Sequence, residues 1–403
     1  MRIWIVNHYA DAPDGQATRT FDLARRMVER GHPTSIFTSS FGHYHFKAVR
    51  QIGGLALWRR ELIDGVELIW VRTTPYHNND WRRLVNMVSF SVVALLCGVV
   101  WRPRPNAVIG VSVHPLGALT GWLLAKVRRA SYFCEITDLW PQTLIEFGRL
   151  RADSVTARMM RSLERFLYQR ASRIIMLWRH TDSYVESLGV SPTKITWLPH
   201  GVELSRYAAL ETYTGGVLKP FRLMFLGGFV SGNSIDTILK AAHVLQLRDR
   251  HDIRFILVGP GTERPSMIAL ATRLGLANVV FREPVPKADI AYAMNEADAF
   301  IYGVKDLPLY KYGISMNKVT DYLAAGRPII FFGNSSYDPV ATAGAGISVP
   351  PGDPEIIADA IERLADMNPE DRVAMGQRGR TYLLQYHNIP LLADKLLACL
   401  GAA

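Results

Sequence analysis

The stretch Tyr312–Ile330, YGISMNKVTDYLAAGRPII, decides how this chain reads. Gly313 and Ser315 make a flexible, polar turn. Asn317 is placed to cap a helix, and Asn317–Ala325 has the composition of a short one. Gly326 stands where a C′ glycine ends such a helix, and Pro328 prevents its continuation. Ile329–Phe332 is then an apolar run of the length of a buried parallel strand. A helix N-terminus fed by a glycine turn presents free N–H groups, and Lys318 in its first turn adds an ammonium, which together suit a phosphate. Asp321 follows Lys318 by three residues and shares its face, so a carboxylate able to grip ribose hydroxyls lies beside the anion site. From the local pattern alone, an ordinary surface turn with a solvated lysine and aspartate is an equal reading.

Working outward, the same alternation fills the chain. Apolar runs at 2–7, 33–38, 66–72, 107–112, 131–136, 173–177 and 194–198 read as strands, with helical patterns at 17–30, 82–101, 115–127, 154–171 and 181–188. The second half repeats the plan, with strands at 222–226, 254–258, 279–281, 299–302, 329–332 and 347–349. Its helices fall at 234–250, 265–274, 287–296 and 354–367. Such alternation predicts doubly wound parallel sheets, and 403 residues suffice for two of them. The expected division is a Rossmann-like domain at 1–205, a second at 206–385, and a last helix at 386–403 packing back on the first. The boundary is expected near Glu203–Pro220, which carries Thr212, Gly215 and Gly216. Two such domains leave a cleft lined by the carboxyl ends of strands.

Residues 1–205 carry 26 Lys and Arg against 16 Asp and Glu, and residues 206–403 carry 20 against 20, so the whole net charge of +10 lies in the first half. That asymmetry predicts an anionic surface or substrate for the first domain. Nucleic acid is the weaker candidate, because no RRM, KH or helix-turn-helix pattern is present. Cys97, Cys134 and Cys399 form no CxxC and read as core or incidental thiols, not a disulfide framework or zinc site. Met1-Arg2 leads directly into a strand, so the protein is expected to begin in the cytoplasm. Val85–Trp101, bracketed by Arg82-Arg83 and Arg102-Arg104, is apolar over 17 residues. A spanning helix there would break the sheet pattern; a core helix and a helix dipping into a membrane face with arginines on the headgroups remain as equal readings.

Four loops are expected in the cleft. The first, 7–19 (NHYADAPDGQATR), has Gly15 for close backbone approach, though it is not a GxGxxG fingerprint. The second, 135–141 (EITDLWP), offers Glu135 and Asp138, the latter also able to cap a helix. The third, 226–233 (LGGFVSGN), is a glycine loop, and the fourth is the opening stretch.

With these loops in place the chain resembles the retaining glycosyltransferases of family 4, which have the GT-B fold of two Rossmann-like domains. Residues 14–32 (DGQATRTFDLARRMVERGH) look like the family's first loop and helix, 258–261 (VGPG) like its VGxG turn, and 278–282 (NVVFR) like its NVxFxG segment. Residues 199–203 (PHGVE) resemble its PNGVD. The most specific piece, Ser315–Pro328, resembles the SPNKLFDYLAAGKP of a surface-polysaccharide subgroup that includes N-acetyl-fucosamine transferases and carries a DLWP segment, here Asp138–Pro141.

The resemblance implies transfer of a sugar, with retained configuration and no bound metal or cofactor, from a nucleoside diphosphate donor to a lipid-linked or other saccharide. A UDP-sugar is expected ahead of a guanosine donor. It implies that Asp321 binds ribose, that Lys318 with Asn317 and Ser315 meets the diphosphate, and that Gly15 and Gln16 close on the phosphates. Gly228 lies on the donor, Arg282 near the base, and Asp138 with Glu135 on the acceptor side; Asp138, Glu135 and Lys318 are the catalytic candidates. The acceptor then lies at the inner face of an anionic membrane, with the protein peripheral to it. Two departures stand out. Thr137 occupies a position where many members have His, and the glycine loop lacks the usual Arg and Lys. The glycine-loop departures permit one alternative, a non-catalytic sugar- or lipid-binding protein; the other is a GT-B epimerase or phosphorylase, the epimerase turning over nucleotide sugar without acceptor.

Overall fold

The apolar runs of the first half form an eight-stranded sheet in the order Ile195–Trp197, Arg173–Met176, Ser131–Ile136, Ala107–Val111, Ile3–Val6, Thr34–Ser39, Val66–Val71 and Trp58–Ile63. The computed structural model describes residues 1–43, 46–77, 80–216 and 220–401. All pairings in this sheet are parallel except the edge pair of Trp58–Ile63 with Val66–Val71. That edge strand is absent from the expected set. It is one arm of a hairpin turned by Asp64 and Gly65 at φ 48° and 76°, the two left-handed residues such a tight turn needs.

The second half forms a six-stranded, wholly parallel sheet in the order Val279–Arg282, Ile253–Val258, Phe221–Leu226, Ala299–Gly303, Ile329–Phe332 and Gly346–Val349. Each sheet grows outward from its first strand and then jumps to that strand's other side. The reversal falls between Ile3–Val6 and Ala107–Val111 in one sheet, and between Phe221–Leu226 and Ala299–Gly303 in the other. Ligands of doubly wound sheets sit beyond the carboxyl ends of strands at such a reversal.

The chain divides into Met1–Pro199 with Ile389–Ala403, and His200–Asn388. The division therefore precedes the expected 205/206 boundary and follows the expected 385/386 one. Hydrogen bonds explain the shift: Val202 N–H donates to His387 O at 2.9 Å, and the His387 ring meets His200 O at 2.7 Å, so residues 200–202 belong with the end of helix Pro369–Tyr386. Residues 217–219 of the expected boundary stretch lie outside the described residues. In the first unit, helix Ile389–Gly401 buries Ile389, Leu392 and Leu396 in one core with Phe21, Ala24 and Met27 of helix Arg19–Glu29.

Helix Trp81–Val100 is half a core helix. Asn86, Phe90, Ala94, Cys97 and Gly98 are buried, and Gly98 sits against Leu124 of helix Pro115–Arg128. The opposite face leaves Trp81, Leu84, Val88, Val92, Leu96 and Val100 exposed, Trp81 at 69%. Neither sequence reading covers both faces. Three- and four-residue spacing gives the helix one stripe for the core and a second apolar stripe facing out.

Candidate functional site

The opening stretch folds as a helix, Asn317–Ala325, ended by Gly326 in the left-handed region. One detail differs from expectation. The N-cap is Met316, with extended backbone and no side-chain cap, and Asn317 is the first helical residue, exposed. Among the described residues no side chain accepts from the N-terminal amides, of which Val319 N–H donates to Met316 O at 3.2 Å. Tyr322 fixes the helix against the sheet: its hydroxyl donates to Leu226 O at 3.0 Å and accepts from Leu226 N–H at 2.9 Å, at the end of Phe221–Leu226.

Two buried polar atoms at this helix start have no hydrogen-bond partner among the described residues, Lys318 Nζ and Ser315 Oγ. The ammonium lies 4.9 Å over the Phe225 ring, and a side chain at Gly227 would come within 3.5 Å of it. Burial pushes Lys318 down to about 7. The glycine loop lies beside it, interlocked with the turn after Ile253–Val258. Gly261, at φ 151°, approaches so closely that a Cβ there would meet Phe229 O at 2.2 Å. Gly228 itself has open space, with nothing nearer than 3.8 Å to an added Cβ. An unpaired buried cation, an uncapped helix and an open glycine at a sheet reversal make a site for a compact, multiply charged anion.

Asp321 is half-buried and one oxygen accepts from Tyr207 Oη at 2.5 Å. Burial raises its pKa, while the Tyr207 hydroxyl, Lys287 and Arg206 pull it back. Arg282 is exposed; its guanidinium pairs with Glu296 at 2.6 Å, and its carbonyl accepts from Arg264 at 3.3 Å. The structure therefore gathers Gly228, Ser315, Asn317 and Lys318 near the reversal of the second sheet.

In the first unit the expected residues are differently engaged. Gly15 N–H donates to Ala12 O at 2.9 Å, and the amides of Gln16 and Ala17 donate to one Asp11 carboxylate oxygen at 2.9 Å each. These amides are already satisfied within the loop. Glu135 is buried in an ion pair with Arg19, whose guanidinium also donates to Leu198 O at 3.1 Å, so this carboxylate braces strand ends. Asp138 is half-buried, and its carboxylate accepts no hydrogen bond from the described residues. Burial pushes it up to about 6, against the nearby Arg83 charge. Thr137 Oγ1 donates to Ser112 O at 3.0 Å.

Arg83 corrects the sequence reading. Grouped there with headgroup arginines, it instead turns to the strand ends, with Nε donating to Tyr9 Oη at 3.3 Å. Two further residues went unnoticed. Lys305, just past Ala299–Gly303, donates to Ser231 Oγ at 2.5 Å and brings a cation to the glycine loop that lacks its own. Tyr207 meets Asp321 across 114 residues of sequence. Only the position of Lys305 after a strand offered any local signal.

Comparison with known proteins bears on this arrangement. Residues 14–201 match the glycosyl transferase 4-like domain and residues 220–367 the glycosyl transferases group 1. A probable glycosyltransferase WbjE of Pseudomonas aeruginosa is 22% identical over 312 residues, covering 74% of this chain and 75% of that protein. The sucrose-phosphate synthase of Thermosynechococcus elongatus superposes with a TM-score of 0.75 at 17% identity, over 100% of this chain and 99% of that one. Anabaena HepE, solved in complex with UDP and glucose, gives a TM-score of 0.67 at 13% identity, over 100% and 99%. With two Rossmann-like domains and matches to both halves, the chain belongs to the GT-B glycosyltransferases of the group 1 and 4-like type.

Proposed function

We propose that this glycosyltransferase moves a sugar, with retained anomeric configuration, from a UDP-sugar to a lipid-linked saccharide acceptor in surface-polysaccharide synthesis. The surface-polysaccharide subgroup that Ser315–Pro328 resembles supports that role. The observation that carries the donor half is the pair of unpartnered buried atoms, Lys318 Nζ and Ser315 Oγ, at an uncapped helix start. The complex of HepE with UDP supports a uridine donor. Asp321 would accept from the ribose hydroxyls, and Arg282 would lie by the base. The reaction needs no metal in this reading: Lys318, helix amides and Lys305 would stabilise the departing diphosphate. One well-placed donor of this kind is worth roughly 3–4 kcal/mol of barrier.

In the proposed step the bond from C1 to the phosphate oxygen breaks, and its electron pair stays on the phosphate. The acceptor oxygen bonds C1 on the same face, and its proton passes to that phosphate oxygen. No side-chain nucleophile is required. Asp138 would orient the acceptor.

The exposed stripe of helix Trp81–Val100, with exposed Arg82, Arg102 and Arg104 at its ends, supports a peripheral position on the cytoplasmic face of an anionic membrane. Incubating the protein with a UDP-sugar panel and a lipid extract tests the whole reading. Transfer to lipid with retained configuration is expected. Turnover without acceptor, or UDP binding with no transfer from any sugar, would overturn it.

A further inference from the structure

We propose that Tyr207 is a positioning residue for the donor: it holds one oxygen of the Asp321 carboxylate so that the other is presented, charged, to the ribose. The proposal rests on the reading of Asp321 as the ribose carboxylate. The contact joins two separate elements of the second unit, the 3-10 turn Leu204–Tyr207 and helix Asn317–Ala325. Tyr207 is only 9% exposed, and its carbonyl accepts from Leu210 N–H at 3.0 Å. Arg206 N–H donates to the carbonyl of buried Glu203 at 3.1 Å, and Val202 ahead of it bridges to Asn388. The phenol is therefore delivered from a braced turn, at 2.5 Å from Asp321 Oδ1, while Oδ2 accepts no hydrogen bond from the described residues.

A carboxylate with one oxygen held and one open is arranged for a vicinal diol, whose hydroxyls both donate. A hydroxyl bonded to a carboxylate favours its charged form, and burial opposes it. The charged groups facing Asp321 are Lys287, from the turn Lys287–Asp289, and Arg206, beside Tyr207; both also favour the charge. Removing the phenol leaves burial less opposed. The acid limit of ribose binding then moves upward in pH.

Calorimetric titration of the full chain with UDP and with 2′-deoxy-UDP, at pH 6 and pH 8, tests this. The ratio of variant to wild-type affinity cancels the titration of UDP itself. Tyr207→Phe is expected to weaken UDP more at pH 6 than at pH 8, because losing the phenol raises the pH below which Asp321 gives up its charge. Its preference for UDP over the deoxy analogue should also fall at pH 6. Lys287→Gln should shift the acid limit in the same sense and checks independently that Asp321 must be charged; if Tyr207→Phe does not fold, Tyr207→Trp and Tyr207→His take its place in the same titration. Wild-type affinities at both pH values, or an equal loss at both, would overturn the proposal. Equal UDP binding by wild type and Asp321→Asn would instead defeat the ribose reading beneath it.

Discussion

Donor binding should be coupled to the protonation of Lys318. Burial sets its pKa near 7, against 10.5 for an ordinary lysine. A diphosphate beside the amine restores the ammonium, so binding above pH 7 takes up a proton. The charged fraction falls about 25-fold between pH 7.5 and pH 9, and the affinity for UDP should fall with it. Over that range UDP itself adds only a small slope, from the last of its phosphate ionisation and the onset of uracil N3–H ionisation. Calorimetry in two buffers of different ionisation enthalpy should show close to one proton taken up at pH 8.5. Lys318→Met should abolish both the slope and the proton uptake. Stability should move the opposite way. Between about pH 7 and 10.5 the unfolded chain carries the lysine proton and the folded chain does not, so the contribution of Lys318 to stability improves as pH rises. A UDP affinity that is flat from pH 7.5 to pH 9, with no buffer dependence, would refute the reasoning.

Other outcomes follow from single contacts. Asp321→Ala should weaken UDP by roughly tenfold or more through the lost charged hydrogen bonds, read by calorimetry. Gly261→Ala must place a Cβ 2.2 Å from Phe229 O at φ 151°, and should lower the melting temperature and remove UDP binding together. Charge reversal at Arg82, Arg102 and Arg104 should release the protein from anionic vesicles in co-sedimentation, while Arg83, turned to Tyr9, should matter less there.

The sheets were legible because parallel strands are short apolar runs with helical patterns between them: Ser131–Ile136 and Ile329–Phe332 fall on their expected limits. The edge strand Trp58–Ile63 was missed although Asp64-Gly65 is a hairpin signal; its half-exposed residues do not make an apolar run. Within the site, Lys318 was legible because a glycine turn and a helix start are local features. Arg83 was not, since adjacent helical residues point about 100° apart and sequence does not say which one faces the sheet. Tyr207 and Lys305 owe their places to contacts between distant segments, as does the ion pair that takes up Glu135. The amides of Gly15 and Gln16 read as open in sequence because their acceptors, Ala12 and Asp11, are set only by the folded loop.

The central claim is that the Asn317–Ala325 helix start and Lys318 hold the donor diphosphate. A crystal structure with UDP tests it most directly. The expected result places the β-phosphate within hydrogen-bond reach of Lys318 Nζ and the first helix amides, with the ribose on Asp321. UDP bound elsewhere, with Lys318 still unpaired, would contradict it.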